Sequence, residues 1–259
     1  MSLILTQLQN QIGTITFNYR AYRNILSKAM VDEILEAIEA LRKSKARVII
    51  FRAEPGAAVW SAGHDVRELP LPGRDPLAYH DPLVTILRTV QELPLPVIAM
   101  IEGGVWGGAC DLALSCDILI GAPNCSFCMT PAKIGVPYNV TGILHFINIM
   151  GVNRAKEMFF TAQPLTAEQA RTAGILNHLV EADRLEEFTY TLAEQITCNS
   201  PLSIAVIKEQ IRLLASAHPM SPHTFERVQG LRRRVYDSRD YAEGINAFKE
   251  KRPPNFTGE

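Results

Sequence analysis

Ile101-Glu-Gly-Gly-Val-Trp-Gly-Gly-Ala-Cys-Asp111, together with Trp60-Ser-Ala-Gly-His-Asp65 upstream of it, is the stretch whose reading decides the fold. Each follows an apolar run of the kind carried by a strand buried on both faces: Val48-Ile49-Ile50-Phe51 before the first, Val97 to Ile101 before the second. In each, glycine or another small residue lets the backbone approach a ligand closely. The second turn runs on into Ala109 to Ser115, which reads as a helix, so its N–H groups stand at the positive end of a helix dipole. Two such turns side by side can aim two backbone N–H groups at one oxygen, as an oxyanion hole requires. Gly107 and Gly108 would look the same if they served only close packing of helix on sheet. Nucleotide loops fit worse. No G-K-[ST] is present, and the glycines run G-G-x-x-G-G rather than G-x-G-x-x-G.

Outward from these turns, Ile12 to Phe17 alternates like a strand, and Asn18 to Asn24 is a polar, basic loop. Ser27 can cap a helix in which Met30, Ile34, Ile38 and Leu41 recur at helical spacing, with Lys43 and Lys45 at its end. Residues 69–82 are rich in Pro, Gly and Asp and read as a mobile loop, followed by a helix from Leu83 to Glu92. Asp117 to Ile120 is again strand-like. The succession predicts a mixed α/β fold with turns gathered at strand ends. Beyond about residue 140 the pattern becomes helical. Thr166-Ala-Glu-Gln169 is a capping box, and Leu185 to Thr197, Leu202 to Ala217 and two segments after Pro222 read as helices. We expect a core over 1–200 and a helical region over 201–259.

The 259 residues are 47% hydrophobic and 20% charged, which are globular proportions. A formal net charge of -1 with no long basic run argues against a nucleic-acid partner. Met1 to Leu5 lacks the cationic region of a signal peptide, and no apolar run approaches the ~20 residues of a membrane helix. A soluble, cytoplasmic protein without a membrane partner is expected. The five cysteines are an odd count, which suggests free thiols in a reducing compartment. Cys125 and Cys128 form a lone C-x-x-C without the second ligand pair of a zinc site. Their segment reads as a strand, so two buried small hydrophobes are the simpler reading.

Several motifs taken together resemble the crotonase superfamily. Ser61-Ala-Gly-His-Asp65 resembles its first oxyanion turn, and Ile101 through Asp117 its second turn with the helix and C-D that close it. Asn24-Ile-Leu-Ser27, Leu165 to Ala170, Gly174-Ile-Leu-Asn177 and Phe248 to Phe256 resemble further family segments, so the likeness spans the chain. It implies a spiral of repeated β-β-α units with a helical C-terminal region that assembles trimers, usually paired as hexamers. The oxyanion donors would be the N–H groups of His64 and Gly108. An acyl-CoA substrate would run past Ala62, Asp65, Gly107 and Thr130. Its phosphates would meet Arg20 and Arg23, and its adenine end Phe248 and Lys251 of a neighbouring subunit.

The family's hydratases use two glutamates as acid and base. Here the first position holds Asp111, and the second falls in Thr130-Pro-Ala-Lys133, which has no carboxylate. Hydration is then hard to arrange. Ser61 to Asp65, Gly73-Arg-Asp-Pro76, Val105 to Gly108, Met129-Thr-Pro131, Gly135-Val-Pro-Tyr-Asn139 and Ala205 to Glu209 resemble instead the members that decarboxylate malonyl-type thioesters, methylmalonyl-CoA to propionyl-CoA among them. That likeness assigns Tyr138 to the departing carboxylate and leaves Asp111 without a required duty. No metal or organic cofactor would be needed. The alternatives are an isomerase or hydratase working from Asp111, and a non-catalytic acyl-CoA-binding protein.

Overall fold

The chain winds back and forth between two sheets. The computed structural model describes residues 2–70, 72–217 and 221–258. In chain order the elements are β1 (Ile4–Gln9), β2 (Ile12–Phe17), α1 (Lys28–Lys43), β3 (Val48–Ala53), β4 (Val59–Ser61), α2 (Pro82–Glu92), β5 (Val97–Ile101), β6 (Gly104–Trp106), α3 (Gly108–Ser115), β7 (Ile118–Gly121), β8 (Ser126–Cys128), α4 (Val140–Thr161), β9 (Leu165–Thr166), α5 (Ala167–Thr172), β10 (His178–Leu179), α6 (Leu185–Thr197), α7 (Pro201–Ala215), α8 (Pro222–Tyr236) and α9 (Arg239–Glu250). One sheet runs β1-β2-β3-β5-β7-β10, parallel except for the β1–β2 hairpin. The other runs β4-β6-β8-β9, with β9 antiparallel. Each turn of the spiral gives one strand to each sheet and then a helix: β3-β4-α2, β5-β6-α3, β7-β8-α4.

The continuous apolar strands explain why the large sheet is covered on both faces. Side chains alternate across a strand. Ile49 and Phe51 therefore join the main core beneath α1 and α2, while Val48 and Ile50 face the layer closed by Leu185 and Ala193 of α6. Local caps set the helix starts. Ser27 Oγ accepts from Met30 N–H at 3.3 Å, Asp81 accepts from Leu83 N–H at 2.8 Å, and the Thr166–Gln169 capping box forms in both directions.

The C-terminal helices divide. On α7 no residue is buried, and Leu202, Val206, Ile207, Ile211 and Leu214 lie exposed. In contrast, α8 and α9 fold back so that Tyr236, Tyr241 and Ile245 build a third apolar cluster with Val136, Ile134 and Val66. The 69–81 segment contains no helix or strand among its described residues, but it is strapped down. Arg232 of α8 grips Asp75 through both guanidinium NH2 groups (2.9 and 2.5 Å), and Tyr241 donates to the Pro70 carbonyl at 3.0 Å. Among the described residues no helix is long and apolar enough to cross a membrane.

Candidate active site

The two glycine turns sit at the ends of adjacent parallel strands, β4 and β6, and touch. Gly63 has φ +81°, and a side chain there would overlap the Trp106 carbonyl and come within 2.8 Å of Gly108 N. Only glycine satisfies both demands. The peptide geometry then aims the donors. Gly63 gives its carbonyl to Leu26 N–H at 2.8 Å, and in a trans peptide the next N–H, that of His64, points the opposite way. Likewise the Gly107 carbonyl accepts from Cys110 within the first turn of α3, so Gly108 N–H points back out of the helix start. An ideal Cβ on Gly108 would lie 3.4 Å from His64 N, which puts the two N–H groups on one small patch. The positive end of α3 adds to it.

This patch lies in the wall of a cavity of about 640 Å³. Ala62, Asp65, Gly107, Thr130 and Tyr138 also line it, and Arg23, Arg67 and Lys133 contribute cationic groups. Phe248 of the same chain closes one side. Among the described residues the single carboxylate lining it is that of Asp65, which Arg67 engages at 2.6 Å and 2.8 Å. Burial works against the Asp65 charge, but Arg67 outweighs it and holds the pKa below the usual carboxylate value.

Tyr138 and Asp111 form one unit. The Tyr138 hydroxyl donates to Asp111 Oδ2 at 2.8 Å, and Asp111 Oδ1 lies 2.9 Å from His145 Nδ1. Asp111 is fully buried. Burial and the neighbouring Asp111 charge keep the tyrosine well above its ordinary pKa, so it remains a phenol. Gly142 makes this packing possible, since a Cβ there would overlap Tyr138 Cε1 and approach Asp111 Oδ2 to 2.7 Å.

His64 is clamped at both ring nitrogens. Nδ1 lies 3.0 Å from the Asp65 carbonyl and Nε2 3.0 Å from Asp81 Oδ2. Burial opposes the charge, but the Asp81 hydrogen bond and charge and the Asp65 carbonyl outweigh it, so the pKa stands above 6.5. With an acceptor at each nitrogen, both can be satisfied only by a protonated ring, so the arrangement favours the imidazolium. Asp81 also caps α2, whose Leu83 packs against Gly108. One carboxylate thus ties down both oxyanion turns.

The comparisons with known proteins are unambiguous at this point. Residues 7–259 match the model of the enoyl-CoA hydratase/isomerase family. The chain belongs to that family. It is similar to a methylmalonyl-CoA decarboxylase of Escherichia coli, 51% identical over 249 residues that span 96% of this chain and 95% of the other. Methylglutaconyl-CoA hydratase of Homo sapiens is 29% identical over 93% of this chain and 72% of its own. Among solved structures, a methylmalonyl-CoA decarboxylase in complex with 2-nitronate-propionyl-CoA superposes with a TM-score of 0.97 at 49% identity, covering 99% of both chains. An enoyl-CoA hydratase from Geobacillus kaustophilus gives 0.76 at 28% identity, covering 99% of this chain and 98% of its own. The fold is the crotonase spiral that the glycine turns suggested.

Of the residues singled out in the sequence, His64, Gly108, Tyr138, Ala62, Asp65, Gly107, Thr130, Arg23 and Phe248 line one cavity. Arg20 and Lys251 do not. Arg20 reaches the Gly56 carbonyl at 3.5 Å, and Lys251 is the exposed cap of α9. Asp111 stands one bond behind the wall, joined to Tyr138 rather than idle. Sequence reasoning missed Asp81, His145, Arg67 and Lys133. Asp81 carried a faint signal as an Asp-Pro helix start, but its partnership with His64 spans 17 residues and has no local signature. Cys125 and Cys128 are buried free thiols, and burial pushes Cys125 up to about 12.

Proposed function

We propose that this chain decarboxylates a malonyl-type CoA thioester, methylmalonyl-CoA to propionyl-CoA, through an enolate held by the N–H groups of His64 and Gly108. The observation that carries this reading is the pairing of two converged backbone donors with a cavity whose sole lining carboxylate among the described residues, Asp65, is neutralised by Arg67. Adding water to a double bond needs a positioned acid and base. Losing CO2 needs neither. The C–CO2 bond must stand perpendicular to the thioester plane, so that its electron pair flows into the carbonyl as CO2 departs. The oxygen that gains charge then requires donors, and a single good one contributes about 3 kcal/mol of transition-state stabilisation. The His64 imidazolium, anchored beside its own donating N–H, favours the same charge. Tyr138 lines the same cavity, and in this reading its hydroxyl leaves Asp111 to hold the carboxylate and fix that bond out of plane. No metal or organic cofactor is called for by this sequence of steps.

The substrate's CoA phosphates find Arg23, Arg67 and Lys133 in the same cavity. The bare apolar face of α7 is a surface of the kind that subunits bury, and we assign it to a homotrimer or a pair of trimers. The buried free thiols suit the cytoplasm.

Incubation with methylmalonyl-CoA and, separately, with crotonyl-CoA tests the assignment. Propionyl-CoA from the first and no 3-hydroxyacyl product from the second are expected. Hydration of crotonyl-CoA without decarboxylation would return the chain to hydratase chemistry.

A further inference from the structure

The α-carbon of a malonyl-type thioester carries two unlike groups, a carboxylate and an alkyl substituent. The alkyl group calls for an apolar wall of the right reach. Leu77 lines the cavity, as does Leu83, which packs against Gly108. Leu77 belongs to a segment with no helix or strand, and among residues 72–80 only Pro76 and Leu77 are buried. A side chain on irregular backbone keeps a fixed place only when other elements hold it. Here they do. Asp75 Oδ1 accepts from Leu77 N–H at 3.0 Å, with the stiff ring of Pro76 between the two residues. Arg232 of α8 holds the same carboxylate, Nη2 to Oδ1 at 2.5 Å and Nη1 to Oδ2 at 2.9 Å. Gly73 N–H donates to the Tyr236 carbonyl at 2.9 Å, at the end of α8. That end of α8 is itself seated on the cavity, since Tyr236 clusters with Val66 and Val136, which line it. Downstream, Asp81 is pinned to His64. Leu77 thus hangs between two points that are both fixed to the cavity wall.

We propose that Leu77 sets the size of the α-substituent this site accepts, and that Asp75 and Arg232 are the positioning residues that hold it in place. This rests on the decarboxylase reading. Arg232 is 7% exposed, and its Nε is, among the described residues, the one buried side-chain nitrogen or oxygen without a hydrogen-bond partner. A buried ion pair returns little net stability after desolvation, and an unpaired nitrogen returns less. What a guanidinium fork on a carboxylate contributes is a fixed geometry. The path is short and contiguous: α8 fixes Arg232, Arg232 fixes the Asp75 carboxylate, and that carboxylate fixes the backbone of Leu77. Neither Asp75 nor Arg232 lines the cavity, so they act through Leu77 alone. A wall held this way rejects an added methylene, whereas a wall free to yield admits it. One methylene against a well-defined apolar pocket changes kcat/KM by about 10–200-fold.

The test reads the ratio of kcat/KM for methylmalonyl-CoA to that for ethylmalonyl-CoA, each followed as CO2 release. A merely structural defect lowers both values together and leaves the ratio where it was. The wild type is expected to prefer the methyl thioester by about 10–200-fold. Leu77→Ala makes room for the extra methylene and is expected to bring the ratio toward unity. Arg232→Met keeps the apolar stem but frees Asp75, and is expected to lower the ratio about tenfold with Leu77 intact. Asp75→Ala carries the same expectation, should Arg232→Met fail to fold. Asp75→Asn still offers an oxygen to Leu77 N–H and to Arg232, and is expected to keep the wild-type preference. A wild type without preference, or a preference that survives Leu77→Ala, overturns the assignment of Leu77. A preference lost in Leu77→Ala but kept in Arg232→Met and Asp75→Ala overturns the role of the ion pair, as does an Asp75→Asn that behaves like Asp75→Ala. A wild type that releases no CO2 from either thioester overturns the decarboxylase reading and this inference with it.

Discussion

The clamp on His64 gives a sharp test, because one atom pair ties a side chain's charge to the position of a catalytic backbone N–H. In Asp81→Asn the amide oxygen still caps α2, and a neutral hydrogen bond to the ring remains possible, so the substitution removes mainly charge. The pair lies 3.0 Å apart with side chains only 10% and 12% exposed. That places its worth between the ~1 kcal/mol of a surface pair and the ~3–5 kcal/mol of breaking a buried one, or roughly 2 kcal/mol. For a chain of this size the loss corresponds to a fall of about 4–8 °C in Tm. The sign with pH follows from the raised His64 pKa. The clamp contributes fully below about pH 6.5, the unfolded value, and its contribution disappears as pH rises through the higher folded value. Wild type and variant should therefore differ most in acid and converge in base. In the variant, burial acts without its largest counterweight, so His64 should titrate lower than in the wild type. Loosening of the turn that carries His64 N–H should cost kcat/KM about tenfold, by misplacement of the donor. Thermal melts from pH 5.5 to 9 and the NMR titration of the ring provide the measurements. An unchanged His64 titration with an unchanged melt at low pH would refute the reasoning.

Other perturbations follow from the same geometry. Gly63→Ala drives a Cβ into the Trp106 carbonyl and toward Gly108 N, and should lower kcat/KM ~100-fold, on the scale of losing one oxyanion donor. Near-normal turnover there would mean the two turns do not act together. Gly142→Ala intrudes on the Tyr138–Asp111 pair and should cost about 1–3 kcal/mol in a denaturant melt along with activity. Tyr138→Phe leaves a buried Asp111 oxygen without its donor and should cost about 1–3 kcal/mol of stability, with CO2 release falling at least tenfold by single-turnover assay. Light scattering should give a trimer or hexamer mass, and Leu214→Asp on the bare face of α7 should shift it toward monomer; a monomeric wild type at micromolar concentration contradicts the assignment of that face.

Much of the fold was legible because it rests on local patterns. The runs at Val48 and Val97 read as strands buried on both faces, and they are so buried. Ser27 and Thr166 mark helix starts by residues three positions from their targets. The second sheet was hidden, since β4 and β6 are three residues each and fall inside what reads as turns, which left the strand read at Cys125 to Cys128 without visible partners. The full length of α4 was obscured too, because Gly151 interrupts it with φ +77° and a non-helical backbone. In the site, the glycine turns announced themselves through composition. The Asp81–His64 and Asp111–His145 pairs did not, because each joins residues from different turns of the spiral and is visible only once the chain has folded. The link between Asp111 and Tyr138 was hidden for the same reason: nothing in the order of residues says that Tyr138 will donate to it.

The central claim is that the two backbone donors serve an enolate made by loss of CO2. Its most direct test is the turnover of carboxyl-labelled methylmalonyl-CoA by the purified chain, without added metal, biotin or nicotinamide, with labelled CO2 and propionyl-CoA measured together. The account predicts one CO2 for each propionyl-CoA formed. No labelled CO2, or release that stops when a chelator strips a bound metal, would contradict it.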